Sequence, residues 1–140
     1  PGSITVLRDV LNRDPDIVGG CFQQRIDAAG WAYRLWEWGN LRRVLWWRMA
    51  YGDQGLFLRR EIFTTIGGFP DWPLMEDVGL MERLRGRGRF VVLWPRLVVS
   101  ARRWRKRGLL RQTALNWTLL TLYALGVAPK HLARLYTHVR

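Results

Sequence analysis

The sequence predicts one layered α/β domain with a mixed sheet, and three observations lead to this fold class. Helical and strand-like patterns alternate along 140 residues, a common length for one domain. Hydrophobic residues make up 49% of the chain, which is enough to build a core. The run FVVLW, residues 90–94, is typical of a strand that is buried on both faces.

The spacing of apolar residues, together with Gly and Pro, assigns each element in turn. In the first part of the chain we expect a helix from Ser3 to Pro15, a strand over 16–27, and one or two helices over 28–52 with a weak point at Gly39. A short strand, two helices, two strands on either side of Pro95 and two final helices follow, over residues 54–60, 60–69, 75–88, 89–94, 96–102, 109–126 and 129–138.

Charge and aromatic content narrow the classes of partner. Twenty-three Lys and Arg residues against eleven Asp and Glu give a net charge of +12, which favours nucleic acid, anionic lipid headgroups or phosphate-bearing substrates. Nine tryptophans exceed the needs of one small core, so some are expected at a cleft or a lipid interface. The single cysteine, Cys21, predicts a reducing, cytoplasmic location. His131 and His138 lack ligand spacing, so no metal site is expected from this chain.

Two adjacent acids stand at the start of a helix in PLMEDVGLMERL, residues 73–84. Apolar residues follow Asp77 at i+3, i+4 and i+7, so Asp77 shares the inward side of the helix and Glu76 lies beside it. Two interpretations remain open on this pattern. The acids complement the helix dipole and its unpaired amides, or Asp77 is a general base at the edge of a cleft.

The loop YGDQG, residues 51–55, precedes the short apolar strand. Gly and Asp are common turn residues, so a plain turn is one interpretation. The other is a substrate-binding loop, ending in Gly55, in which Asp53 and Gln54 hydrogen-bond a polyhydroxylated ligand.

The basic run SARRWRKRG, residues 100–108, surrounds Trp104 with positive charge. It is either a solvated surface or a diphosphate clamp in which Arg102 and Arg103 pair with phosphate and the indole stacks on a ring. A third interpretation is contact with nucleic acid or lipid headgroups. Residues 109–128 are too polar at their start for a membrane span and predict an amphipathic helix packed on the domain, or one lying on a membrane surface beside the basic run.

The motifs GDQG, GGFP, MED and SARRW, in this order, resemble the C-terminal half of family 2 glycosyltransferases of the GT-A fold. They are most similar to the bacterial subgroup of radical-SAM/selenodomain-associated glycosyltransferases. The resemblance covers essentially the whole chain and divides it into an acceptor-side half, residues 1–108, and C-terminal amphipathic helices, residues 109–140. SARRW is similar to the Gln-x-x-Arg-Trp motif of processive members, but Ser100 replaces the Gln, so a processive polymerase is not implied.

The resemblance also implies roles for the candidate residues. Asp77 matches the family's catalytic base, with Glu76 before it, and the GDQG loop matches an acceptor-side segment. The implied reaction is inverting transfer from a nucleotide-sugar donor to a hydroxyl acceptor, which is lipid-linked if the protein is peripheral to the inner face of a membrane. Arg102 and Arg103 would assist at the departing diphosphate.

Family members bind the nucleotide and a divalent metal, Mg²⁺ or Mn²⁺, through a half that precedes the residues matched here. Pro1-Gly2 resembles the residues just after that metal motif, so we expect this chain to bind no metal and to be inactive alone. An exposed sheet edge would favour a homo-oligomer or a swapped dimer. The alternative function is a basic module that binds nucleic acid or an anionic membrane surface. No nucleic-acid motif is recognisable, so nucleic acid is not an expected partner.

Overall fold

The computed structural model describes residues 2–138, apart from the side chains of Ser3, Arg103, Lys106, Arg107, Thr137 and His138. In chain order the elements are α1 (Gly2–Arg13), β1 (Ile17–Asp27), α2 (Trp31–Trp47), a 3-10 turn (Gly52–Gln54), β2 (Phe57–Leu58), α3 (Arg60–Thr65), α4 (Glu76–Leu84), β3 (Arg89–Ser100), α5 (Arg102–Arg107), α6 (Leu109–Ala124) and α7 (Pro129–His138).

The described strands form a mixed sheet in the order β2-β1-β3, which confirms the predicted mixed α/β class. The central strand, β1, is antiparallel to β2 and parallel to β3. Gly20 of β1 lies between both neighbours, because a Cβ there would come within 2.3 Å of the Val91 carbonyl oxygen and 2.6 Å of the Phe57 ring. Strand pairing on both sides therefore requires glycine at this position.

Several details differ from the sequence-based expectations. α2 is one continuous helix through Gly39, and β2 is only two residues long. β3 is one strand that passes through Pro95, where a register shift occurs opposite Phe22 and Gln24. Burial of β3 on both faces was expected, but Leu93 is its one buried residue, because β3 lies at an edge of the described sheet. Part of the basic run forms the helix α5, which was not predicted.

Helices cover both faces of the sheet. On one face the apolar side of α1 packs against Phe22, Phe57 and Leu93. Cys21, which neighbours Phe22 and therefore points to the other face, packs with Val44 of α2 and with α4. The buried centre of β1 thus lies between α1 and the layer formed by α2 and α4.

The C-terminal helices pack against the beginning of α4. Met75 and Val78 share a hydrophobic cluster with Leu119 of α6 and Leu132 of α7. Apolar residues of α6 and α7 therefore pack on the domain, in agreement with the first of the two interpretations of this segment. Among the described residues, no helix has the length and apolar character that crossing a membrane requires.

The connection GGFPDWP sets the position of α4. Pro70 and Trp72 pack so closely on Gly79 that a Cβ at this glycine would lie 2.6 Å from each side chain. Arg83 donates hydrogen bonds, at 3.0 and 3.1 Å, to the carbonyl oxygens of the two glycines that follow α3. These contacts hold α4 against the end of α3 and so determine where its N-terminal acids lie.

Candidate active site

Asp77 lies in the first turn of α4, and its carboxylate connects this helix to the YGDQG loop. Its Oδ2 accepts a hydrogen bond from the Gly52 backbone N–H at 2.9 Å, and its Oδ1 accepts one from the Val78 N–H at 2.8 Å. The residue is half-buried, whereas Glu76 is exposed. The inward position predicted for Asp77 from helix periodicity is therefore observed.

A cleft of about 380 Å³ opens at this carboxylate. Asp53, Glu76 and Asp77 line it together, while Asn116 and Tyr136 line it from α6 and α7. The two acidic motifs, which are more than twenty residues apart in the chain, thus meet at one opening. An ionised carboxylate has about four lone-pair positions, so Asp77 keeps capacity to accept a proton after binding two backbone amides.

Gln54 and Gly55 belong to the YGDQG loop but are not among the residues that line this cleft. The Gln54 side chain is 2% exposed, and its Oε1 accepts hydrogen bonds from the Tyr51 N–H at 2.9 Å and from Arg43 at 3.2 Å. Gly55 has a φ of 64°, and a Cβ there would lie 3.2 Å from the Phe22 ring. In this structure both residues shape the loop that presents Asp53, and their contact with an acceptor stays a prediction.

A buried arginine, which no sequence motif indicated, contacts the YGDQG loop from the interior of the domain. Arg43 of α2 is 6% exposed, and its guanidinium carbon lies 3.6 Å from the centroid of the Tyr51 ring. It donates hydrogen bonds to the Met49 carbonyl oxygen at 2.7 Å and to Asn40 Oδ1 at 3.3 Å, besides the bond to Gln54. Burial lowers the pKa of Arg43, an effect that nearby groups, Tyr51 first among them, oppose.

Amide side chains extend this support to Asp53. Asn40 donates to Gln24 Oε1 at 2.7 Å, and Gln24 Nε2 donates to the Asp53 carbonyl oxygen at 3.3 Å. A signal for this cluster exists in the sequence, because Trp36, Asn40 and Arg43 are spaced i, i+4 and i+7 on one side of a helix. A polar pair on an otherwise aromatic helix side indicates buried hydrogen bonding.

Two further clefts adjoin the first. One, of about 190 Å³, lies between α2 and α6; it shares Tyr51, Asn116 and Leu120 with the first cleft and is also lined by Trp36 and Trp117. The other, of about 380 Å³, is lined by Asp53 together with residues of β3 and α5. Asp53 therefore stands where the acidic cleft meets the basic run.

The basic run contributes unequally to that third cleft. Arg102 is exposed and lines it. Trp104 also lines it but is only 7% exposed, because it packs with Ile26 and Ala101 and meets Trp36 edge to face, with ring centroids 4.9 Å apart. Trp104 is thus mainly a core residue. The side chain of Arg103 lies outside the described residues.

The described residues contain no group of three or more His, Cys, Asp or Glu side chains arranged to hold a metal ion. Asp53, Glu76 and Asp77 line one cleft without forming such a group. No known protein family, curated protein or solved structure matched this chain when its sequence and fold were compared with them.

Proposed function

We propose that this chain is the acceptor side of an inverting glycosyltransferase of the GT-A fold, with Asp77 as the general base. The observation that carries the proposal is the Asp77 carboxylate, held by the Gly52 amide at 2.9 Å at the mouth of a cleft that Asp53 also lines. In the proposed reaction, Asp77 removes the proton from an acceptor hydroxyl as its oxygen attacks the anomeric carbon of the donor sugar. The bond from that carbon to the nucleoside diphosphate breaks in the same displacement.

The joined clefts support a polyhydroxylated acceptor. The 190 Å³ cleft continues from the acidic cleft past Tyr51 and Asn116 to the two indoles of Trp36 and Trp117. Amide groups hydrogen-bond hydroxyls, and indole faces pack on apolar sugar faces, so this lining suits the part of an acceptor beyond the reacting hydroxyl. Arg102 lines the cleft on the other side of Asp53, where a departing diphosphate would need positive charge.

In this proposal, the divalent metal and most donor contacts belong to the half that, in the family this chain resembles, precedes the matched residues. A bound Mg²⁺ or Mn²⁺ would neutralise charge on the diphosphate. No step of the proton transfer at Asp77 depends on it.

The test compares Asp77→Asn with Asp77→Ala in the longest native protein that contains this chain. Asparagine keeps a side-chain oxygen that accepts the Gly52 N–H but is not basic, so we expect the fold to be retained and turnover to fall about 10²–10⁴-fold. Alanine removes both the bond to the loop and the base, so it should also lower thermal stability. Asp71→Asn, an acid-to-amide change at an exposed residue of the GGFPDWP connection, is the matched control and should leave turnover unchanged.

Turnover is measured as nucleoside diphosphate released from UDP- and GDP-linked sugars, with and without simple alkyl glycosides as acceptors. Near-normal turnover in Asp77→Asn together with impaired Asp77→Ala would show that Asp77 only connects the loop to α4. That result would refute the base assignment.

A further inference from the structure

The outward side of α2 is a stripe of large apolar side chains that the described structure leaves uncovered. Trp31 is 79% exposed, Trp46 is 68% exposed and Trp38 is 53% exposed. Leu35, Arg42 and Leu45 lie on the same side of the helix. Along the chain, each of the six residues follows the previous one by three or four positions, except that Trp46 follows Leu45 directly. The other side of α2 carries the buried residues Glu37, Arg43 and Val44. We call these six outward residues the α2 stripe.

The composition of the α2 stripe suits a membrane–water interface better than bulk water. Three indoles and two leucines, each more than half exposed, lie on this side of the helix, and exposed apolar patches on monomeric proteins mark interaction sites. Tryptophan combines an apolar ring with a polar N–H and is enriched where hydrocarbon meets lipid headgroups. The helix has 17 residues and does not qualify as a membrane span, so a position in the plane of the interface fits its length.

The charge of α2 indicates which kind of membrane surface it would contact. The guanidinium carbon of Arg42 lies 5.0 Å from the Trp38 ring centroid and 5.1 Å from that of Trp46, so a cation stands between two indoles. Glu37 is the one acid in α2, and it is buried and bound by Arg34 at 2.9 Å. The α2 stripe therefore offers positive charge without an exposed acid, on a chain of net charge +12. Anionic lipid headgroups complement this arrangement.

We propose that α2 lies in the interface of an anionic lipid bilayer, with the tryptophans of the α2 stripe inserted below the headgroups and Arg42 among the lipid phosphates. This assignment differs from membrane docking through the C-terminal helices, because it places the contact on α2, whereas Leu119 of α6 and Leu132 of α7 are buried against the start of α4. It does not depend on the proposed glycosyl transfer. The membrane contact and the acidic cleft involve separate sets of residues.

The experiment measures binding of the full chain to vesicles of phosphatidylcholine alone and with one quarter phosphatidylglycerol, by co-sedimentation and tryptophan emission. We expect binding to the anionic vesicles with a blue shift of the emission. The double variant Trp38→Ala/Trp46→Ala should bind about tenfold or more weakly, because two large apolar side chains would no longer leave water on binding. Arg42→Gln should weaken binding to the anionic vesicles about fivefold and leave binding to neutral vesicles little changed.

Trp94→Ala is the matched control, because Trp94 is 57% exposed and stacks with Arg96 at 4.6 Å on β3 rather than on α2. It should bind vesicles like the unchanged chain, and circular dichroism should show all variants folded. Three results would overturn the proposal: no vesicle binding, equal loss in Trp94→Ala, or a dimer in light scattering that only the double variant dissociates. The last result would assign the α2 stripe to a second copy of the chain.

Discussion

Replacing Arg43 with methionine tests whether the polar cluster under the YGDQG loop holds the site in place. Methionine keeps much of the volume of the arginine side chain but removes every donor. The Met49 carbonyl oxygen and Asn40 Oδ1 would lose bonds of 2.7 and 3.3 Å, and the Tyr51 ring would lose the cation at 3.6 Å. Gln54 Oε1 would keep its bond from the Tyr51 N–H.

The expected cost follows from these contacts. A buried acceptor left without a donor costs about 1–3 kcal/mol; the two acceptors here are only part-buried, so each should cost about the lower end of that range. A desolvated cation–π contact contributes about 2 kcal/mol. Removing the buried guanidinium also removes its desolvation penalty, which offsets part of this loss of stability. We therefore expect Arg43→Met to lower the free energy of unfolding by about 2–4 kcal/mol. The unfolding free energy of Arg43→Lys should lie between those of Arg43→Met and the unchanged chain. An ammonium group keeps the charge but cannot reach three acceptors as a planar guanidinium does.

Urea unfolding followed by circular dichroism measures the change. Arg42→Met is the control, because Arg42 adjoins Arg43 in α2 but is only half-buried and stacks on two exposed indoles. It should cost no more than about 1 kcal/mol. If the unfolding free energy of Arg43→Met lies within about 0.5 kcal/mol of that of the unchanged chain, the cluster does not hold the loop in place.

Two further predictions concern the core. Trp104→Ala should lower the free energy of unfolding by about 3–5 kcal/mol, because a buried indole that packs against Trp36 is lost. Urea unfolding measures this change, and unchanged stability would contradict a core role for Trp104. Burial, opposed in part by Arg43, raises the pKa of Cys21 from 9.0 to about 12, so the folded chain binds this proton more tightly than the unfolded chain. This contribution to stability is complete below pH 9.0 and is lost as the pH rises toward 12. Cys21→Ala should flatten the decline in unfolding free energy over that range, and an equally steep decline would refute the assignment.

How far the fold could be predicted depends on how local each signal is. The 3.6-residue period of α4 placed Asp77 on its inward side, because the direction of a side chain on a helix follows from its position alone. Alternating helices and strands likewise predicted a mixed sheet. The bounds of β2 and the continuity of β3 depend on pairing with β1, which lies thirty or more residues away in sequence. Sequence spacing carries little information on such distant pairing.

The candidate site divides in the same way. GDQG and MED were identified as motifs, but only the fold showed that the Gln54 side chain is buried while Asp53 lines the cleft. The sequence alone determined which sides of each helix are apolar and that basic charge dominates. It did not determine which apolar sides are covered, because Trp104 and Trp46 look alike as residues in basic, aromatic runs. Tertiary packing buries Trp104 against Trp36 and leaves Trp46 at the surface, since burial depends on the element that lies opposite, which only the folded chain supplies.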